Sequence, residues 1–154
     1  MPRRLLEHVD VRAAAIAGLA AGAVYIATEE VDNRLTGQNN DDLKLLGRLL
    51  VKGPEHAKVA GIPPHVVNSA NLGIAYAAIA HDRIPGPPWF RGALFATVEN
   101  TVLYPIALLE DKHPGIRNGE IDRYLTLKAY LQSIPRHITY GAVVGALYER
   151  LRRS

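Results

Sequence analysis

The sequence predicts an all-α fold: a four-helix transmembrane bundle from a tandem two-helix repeat, with short interfacial amphipathic helices in the two longer connections. Three observations support it. Four apolar segments lack the charged face of a soluble surface helix. They are rich in Ala and Gly, as closely packed membrane helices are. One stretch of the chain also occurs twice. The length of 154 residues suits one domain, so we expect a single membrane domain over residues 1–154.

The four apolar segments cover residues 13–28, 66–80, 92–109 and 138–147. None reaches the roughly 18 uncharged apolar residues in a row that mark a clear membrane span, and the mean hydropathy of -0.01 is low for a membrane protein. A soluble Ala-rich helical bundle is therefore the alternative fold. The first segment ends in YIATEEVD without a small-x-small cleavage site. We therefore expect it to be retained and not removed as a signal peptide.

The connections between these segments contain two amphipathic stretches and one short turn. Residues 41–50 and 120–134 place Leu and Ile at helical spacing, which predicts short helices in the membrane interface or against the bundle. Residues 81–90 are rich in Pro and Gly and predict a tight turn, with Trp89 at the level of the lipid headgroups. Pro105 is expected to kink the third helix near its end.

Basic residues predict the orientation of the bundle. They flank both termini and the short middle turn, which lie on one side of a four-span arrangement: Arg3, Arg4, Arg12, Arg83, Arg91, Arg150, Arg152 and Arg153. The two longer connections balance their basic residues with Asp and Glu. Short basic segments stay in the cytoplasm, so we expect both termini to be cytoplasmic.

The repeat is visible in two pairs of segments. IPPHVVNSANLGIAY (residues 62–76) matches IPRHITYGAVVGALY (residues 134–148), and GAVYIATEE (22–30) matches GALFATVEN (92–100) at nearly the same offset. We infer a tandem duplication, with repeat 1 at about residues 12–82 and repeat 2 at about 83–154. The two halves would be related by a pseudo-two-fold axis along the membrane normal. The match also predicts that the first helix runs past Glu29, to about Leu35.

Small residues at a spacing of four predict where the helices pack closely. These positions are Gly18, Gly22, Ser69, Gly73, Gly141 and Gly145.

A set of polar residues inside the apolar segments forms the candidate site. Proline suits the first turn of a helix, so we expect Pro63 and Pro135 to place His65 and His137 at helix starts, each within reach of a Glu from the preceding helix. The candidate polar intramembrane cluster is Glu29, Glu30, His65, Asn68, Asn71, Glu99, Asn100 and His137. The other histidines, His8, His56, His81 and His113, lie in polar stretches and are expected to be solvated.

Three interpretations of this cluster remain open. Its members can tie the helices together by hydrogen bonds, because polar groups in lipid must be satisfied. Glu29, His65, Glu99 and His137 can form a two-Glu, two-His metal site on the pseudo-two-fold axis. Alternatively, Glu29 and Glu99 can form a path for protons or a small solute.

Several function classes are excluded or disfavoured. The chain has no Cys, which excludes disulfides, thiolate catalysis and Cys-ligated clusters. The net charge of +3 is spread along the chain, so we expect no nucleic-acid partner. There is no Gly-rich phosphate loop, no Gly-x-Ser-x-Gly and no His-Glu-x-x-His. We therefore expect neither an enzyme nor a cofactor.

The pattern of an apolar helix with Gly and a late Glu, followed by a repeat ending in RHITYGAVVGALYERL, resembles the YagU-like type of small uncharacterised bacterial inner-membrane proteins. The resemblance implies a multi-span protein of the bacterial inner membrane without established chemistry. The sequence thus predicts a small integral membrane protein, an accessory or structural subunit of a membrane complex or homo-oligomer. Transport of protons or a small solute, or metal binding, is the alternative function.

Overall fold

A computed structural model describes residues 7–154, and this part of the chain contains helices and no strands. Six α-helices follow in order: α1 (Val11–Thr36), α2 (Asp42–Gly47), α3 (Ala57–Ile79), α4 (Pro88–Leu103), α5 (Pro114–Arg117) and α6 (Leu127–Leu151). Two 3₁₀ helices accompany them, Pro54–His56 before α3 and Tyr104–Lys112 after α4. The predicted all-α fold class is confirmed. Arg3 and Arg4, part of the predicted basic N-terminus, lie outside the described residues.

Local signals define both ends of α1. The Asp10 side chain accepts a hydrogen bond from the backbone N–H of Ala13, at 2.9 Å, and caps the N-terminus. Gly37 ends the helix in the left-handed conformation, with φ of 68°, and its N–H binds the carbonyl of Asn33. The prediction that this helix extends past Glu29 to about Leu35 is confirmed.

Helices α3 and α6 begin well before the prolines that were expected to start them. Pro63, Pro64 and Pro135 lie inside helices, so the prediction that His65 and His137 occupy first turns is wrong. The first residue of α6 is set by Thr126, whose hydroxyl accepts from the N–H of Ala129. The amphipathic stretch predicted as a separate interfacial helix over residues 120–134 is therefore, from Leu127 onward, the first part of α6.

Pro105, which was predicted to kink the third helix, lies where its α-helical geometry ends. The α-helical part of the third apolar segment ends at Leu103, and the chain continues as the 3₁₀ helix Tyr104–Lys112. Proline has no N–H to donate within a helix. The third helix therefore changes its geometry here.

The four long helices are arranged in the order α3–α1–α6–α4. Helix α1 packs along α3 and α6, α6 also packs along α4, and α2 covers part of α3. Helices α3 and α4 approach each other near one end, where the rings of Tyr76 and Phe95 lie 5.7 Å apart. Elsewhere they share no packed interface, which leaves a cleft between them.

The bundle has two chemically different ends. The turn end contains the start of α1, residues 80–87 and the end of α6. There Arg152, directly after α6, binds Asp82 of the turn at 3.3 Å. The connector end contains residues 37–56 and 104–126. There Arg48 binds Glu120 at 2.6 Å, and the backbone N–H of Asn39 donates to Asp122. The two long connections therefore meet each other at one end of the bundle.

Small residues allow close contact within both helix pairs, α1 with α3 and α4 with α6. A Cβ atom on Gly73 would lie 2.8 Å from Cα of Gly18, and one on Gly18 would overlap the carbonyl oxygen of Ser69. In the other pair, a Cβ on Gly145 would lie 3.2 Å from the N atom of Gly92. Gly22 and Gly141 make equivalent approaches to Ser69 and Gly92. The predicted small-residue positions lie at the helix interfaces.

Large and small apolar residues are distributed in an unusual way. The centre of the bundle consists mainly of Ala and Tyr, with Ala14, Ala17 and Tyr76 fully buried. The outward faces of the long helices carry large aliphatic side chains instead, such as Val67, which is 60% exposed, and Val98, which is 52% exposed. Two segments, Val11–Thr36 and Pro88–Lys112, are long and apolar enough to cross a membrane by length and composition.

Candidate functional site

The cleft between α3 and α4 forms a cavity of about 610 Å³ that extends toward the connector end. Its apolar lining includes Leu45 of α2, Leu72 of α3, Leu103 of α4 and Ile106 of the 3₁₀ helix that follows α4. Its polar lining includes most of the residues singled out in the apolar segments: His65, Asn68, Ser69, Glu99, Asn100 and His137. This size falls within the range of small-ligand sites, about 300–1,000 Å³.

Glu99 of α4 and His137 of α6 face each other at the cavity. Glu99 Oε2 lies 3.9 Å from His137 Nε2, so the predicted approach of these two residues is present. The other ring nitrogen, Nδ1, lies 2.8 Å from the carbonyl oxygen of Ser133, which can only accept, so Nδ1 carries the hydrogen. In the neutral ring Nε2 is then an acceptor. Within residues 7–154, the Glu99 carboxylate accepts no hydrogen bond.

Asn100 contributes to the same part of the helix pair. It is buried, and its amide donates to the hydroxyl of Ser133 at 2.8 Å. This is the interhelical role that the hydrogen-bonding interpretation expects.

His65 lies on the opposite side of the cavity and contacts the α1 backbone. Its Nε2 donates to the carbonyl of Gly22 at 3.2 Å and lies 3.4 Å from the Ser69 hydroxyl. Asn68 is exposed and lines the cavity, whereas Asn71 is exposed but lies off it. Glu30 is on the outer surface, where Arg34 binds it at 2.8 Å. Asn71 and Glu30 are therefore not brought together with the other candidates.

Glu29 is buried, and its partner is Arg136, a residue outside the predicted cluster. Arg136 Nη1 lies 3.2 Å from Glu29 Oε2, and the pair joins α1 to α6. The same guanidinium binds Asp32 through Nε and Nη2, at 2.8 and 2.6 Å, and donates to Asn33 and to the Asn40 carbonyl. The expected approach of Glu29 to His65 is therefore wrong, since an always-charged guanidinium stabilises a buried carboxylate better than a neutral imidazole does.

This buried network extends into the connector end. Glu29 also accepts from the backbone N–H of Asp42 at 3.1 Å. Asp42 in turn accepts from the hydroxyls of Tyr25, at 2.6 Å, and Tyr124, at 2.8 Å. The pKa of Tyr124 is raised well above its usual value, chiefly by burial and then by the nearby Asp42 carboxylate. Tyr124 therefore stays a hydrogen-bond donor and holds its connection against the start of α2.

One signal for Arg136 is present in the sequence. The two similar segments begin Ile-Pro-Pro-His and Ile-Pro-Arg-His, and Arg136 aligns with Pro64. A charged residue inside an apolar helix is costly unless it is paired. This principle predicts an ion pair between Arg136 and a buried carboxylate such as Glu29. Tyr25, Asp42 and Tyr124 carry no comparable local signal.

His81 is not solvated as expected, because it is fully buried at the turn end. Its Nε2 lies 2.8 Å from Glu149 and its Nδ1 2.9 Å from the hydroxyl of Tyr76. Burial lowers the pKa of His81, with Arg152 adding to the effect, while the Glu149 carboxylate opposes it without overcoming it. His113 is also half-buried, with Nε2 2.9 Å from the Leu45 carbonyl. Sequence context alone misplaced both rings.

The four residues of the hypothetical metal site lie in two different environments. Glu99 and His137 face each other, but Glu29 is bound by Arg136, and His65 donates to a backbone carbonyl. Within residues 7–154, no three His, Asp or Glu side chains are placed to hold a metal ion. The arrangement instead supplies two proton acceptors, Glu99 and His137, to a mainly apolar cavity.

No curated protein and no solved structure gives a significant match to this sequence. One family model matches residues 8–154, which is nearly the whole chain. The chain therefore belongs to the family of unknown function DUF6789.

Proposed function

We propose that this protein is a small integral membrane protein that spans the bilayer four times and binds a small molecule between α3 and α4. The observation that carries the proposal is the cavity of about 610 Å³, which combines apolar walls with the unpaired Glu99–His137 acceptors. Largely preformed cavities with a few convergent polar groups are the usual form of small-ligand sites.

The distribution of apolar side chains supports membrane embedding. Soluble monomers rarely expose a large continuous apolar surface, yet the outward faces of α1, α3 and α4 carry Val, Leu and Ile along their length. At 1.5 Å per residue, α1, α3 and α6 are each about 34–39 Å long, which exceeds the roughly 30 Å hydrocarbon core of a bilayer. The buried Arg136 lies on an inner face, where a paired charge is tolerated.

The packing of the two helix pairs supports the tandem duplication. Ser69 and Gly73 of α3 occupy the same places in the repeat as Gly141 and Gly145 of α6. Each pair of positions forms the close approach to the preceding long helix. In this proposal one ancestral helix pair was copied, and the two copies pack through α1 and α6.

Basic residues support an orientation with the turn end in the cytoplasm. Arg83 lies in the 80–87 turn. Arg150 lies at the end of α6, and Arg152 follows directly after that helix. In a bacterial inner membrane such short basic segments remain inside. The connector end, with its balanced charges, then faces the opposite side.

Single cysteines test both the span number and the orientation, because the native chain contains no Cys. Asn118→Cys is placed at the connector end and Ser154→Cys at the turn end, and both native residues are exposed. A membrane-impermeant thiol reagent applied to spheroplasts should label Asn118→Cys at once and Ser154→Cys only after lysis. Labelling of both before lysis, or recovery of the protein without detergent, would contradict the proposal.

The cavity itself is tested by two neighbouring positions on α3. Asn68 lines the cavity, whereas Val67 points to the outer face. A small polar thiol reagent should react with Asn68→Cys much faster than with Val67→Cys in proteoliposomes, because thiolates form in water and not in lipid. Equal rates would mean that Asn68 does not face an accessible cavity.

A second candidate function is that of an accessory or structural subunit in a membrane complex or homo-oligomer. The observation that favours it is the open side of the cleft, where α3 and α4 share no packed interface and a partner helix could lie. Purification in a mild detergent, followed by mass measurement, distinguishes the two functions. A stoichiometric partner whose removal makes Asn68→Cys more reactive would favour the structural role.

A further inference from the structure

The charges that border the cavity do not balance. Three carboxylates line it, Asp42, Glu99 and Glu110, beside two basic side chains, Lys112 and Arg136. Two of these charges are compensated outside the cavity. Glu110 binds Arg123 at 2.8 Å and accepts from two backbone N–H groups. Arg136 is bound by the two carboxylates of Glu29 and Asp32.

Two of the lining carboxyl groups, those of Asp42 and Glu99, lack a basic partner in the described part of the chain. Within residues 7–154, neither Asp42 nor Glu99 has a Lys or Arg nitrogen within 4.0 Å. Lys112 is exposed in the connector and is screened by water there. Asp42 is stabilised by two tyrosine hydroxyls. Glu99 has only the neutral acceptor face of His137 nearby, so it is the carboxylate that lacks a donor.

The geometry at Glu99 suits one kind of chemical group. Its Oε2 and His137 Nε2 are 3.9 Å apart, and both atoms act as acceptors when the ring is neutral. Their side chains are 20% and 18% exposed. An ammonium group carries three donors and no acceptor, so it can serve both atoms at once. A hydroxyl group has one donor and can serve only one of them.

We propose that the cavity binds a lipophilic amine, whose ammonium group lies between Glu99 and His137 and whose hydrocarbon part lies against Leu72, Leu103 and Ile106. This proposal rests on the proposed function and names its ligand class. The apolar walls supply the hydrophobic contribution. The bond from ammonium to carboxylate supplies the selectivity, because a charge-assisted hydrogen bond is about twice as strong as a neutral one. The ring of Tyr25, 5.2 Å from that of His137, offers a further surface for a cation.

The test uses Asn68→Cys as a reporter of occupancy in proteoliposomes of phosphatidylcholine, a lipid without net charge. Dodecylamine and dodecanol have the same chain and differ in the head group. We expect dodecylamine to slow thiol labelling of Asn68→Cys at concentrations roughly tenfold to a hundredfold below those of dodecanol, as expected for one charge-assisted hydrogen bond. Glu99→Gln should remove this preference and leave the dodecanol response unchanged.

Controls separate binding from unfolding and from membrane effects. Glu30→Gln removes an exposed carboxylate of α1 that does not line the cavity, so it should keep the preference for the amine. Ser154→Cys, at the exposed turn end, should be labelled at the same rate with and without either compound. Equal melting temperatures of the Glu99→Gln and Glu30→Gln variants would establish that both remain folded.

Each outcome decides a different point. Protection by both compounds at equal concentrations, unchanged by Glu99→Gln, would overturn the amine proposal and leave the cavity as a site for neutral lipophilic molecules. No protection by either compound, together with slow labelling of Asn68→Cys, would overturn the small-molecule site itself. Protection by the amine that persists in Glu99→Gln would place the cation elsewhere and would also refute the proposed position.

Discussion

Arg136 allows the sharpest test of how the bundle is held together. Its guanidinium joins α6 to α1 through Glu29 and Asp32, and its side chain is 3% exposed. It makes five hydrogen bonds, to two carboxylates, the Asn33 side chain and the Asn40 carbonyl. Replacement by Met preserves much of the volume but leaves two carboxylates without their cation.

The expected effect of Arg136→Met follows from this burial. Removing one partner of a buried ion pair costs about 3–5 kcal/mol, most of which is the cost of the charge left behind. For a chain of this size 1 kcal/mol corresponds to roughly 2–4 °C, so the melting temperature should fall by about 6–20 °C. Arg136→Lys keeps the charge but not the planar fork, and should lose about 1–2 kcal/mol.

The assay is thermal unfolding in mild detergent, followed by circular dichroism. Lys128→Met is the matched control, because Lys128 is an exposed residue of the same helix. Adding Glu29→Gln and Asp32→Asn to Arg136→Met should restore much of the loss, since no unpaired charge then remains. If Arg136→Met melts within about 2 °C of the Lys128→Met control, which is below 1 kcal/mol, the network is not a main support of the fold.

Three further predictions concern other parts of the molecule. Gly141→Val should lower stability by about 1–3 kcal/mol, because the valine side chain would overlap the α4 backbone. Ala146→Leu, on the exposed face of α6, is the control and should be tolerated in the same melting assay. Burial lowers the pKa of His81 in the folded protein. At acidic pH the unfolded chain therefore binds a proton at this ring more readily than the folded protein does. Stability should fall as the pH drops below about 6.5. His81→Gln should flatten that pH profile; an unchanged profile would assign the dependence to another group. Arg48→Ala should release Glu120 and loosen the connector end, which increased hydrogen exchange in residues 113–124 would reveal.

Local patterns in the sequence predict the helices but not their limits. Ala- and Gly-rich apolar runs identify four long helices, and the similarity of residues 22–30 to residues 92–100 correctly predicts that α1 extends beyond Glu29. Pro63 and Pro135 predict helix starts, because proline suits a first turn. Both helices begin earlier and continue through the prolines, and a Thr126 cap defines the start of α6. A local preference for one position is weaker than the packing of a whole helix face.

The sequence predicts the contact between Glu99 and His137, which lie on successive long helices, α4 and α6. Glu29 and Arg136 are 107 residues apart and lie on α1 and α6, so no spacing within the chain points to their contact. Similarly, Asp42 and Tyr124 come together only because the two connections meet at one end. Such contacts depend on how the helix pairs are arranged.

The position of Arg136 also bears on whether the two halves of the chain are self-sufficient. Glu29 and Asp32 lie in the first half, and the guanidinium that binds both, that of Arg136, lies in the second. A homodimer of first halves would contain four carboxylates, those of Glu29 and Asp32, without the Arg136 guanidinium. A homodimer of second halves would contain two Arg136 guanidinium groups without these carboxylates. The charges thus favour pairing of unlike halves, and chain fragments cut at the 80–87 turn should assemble with each other in preference to themselves.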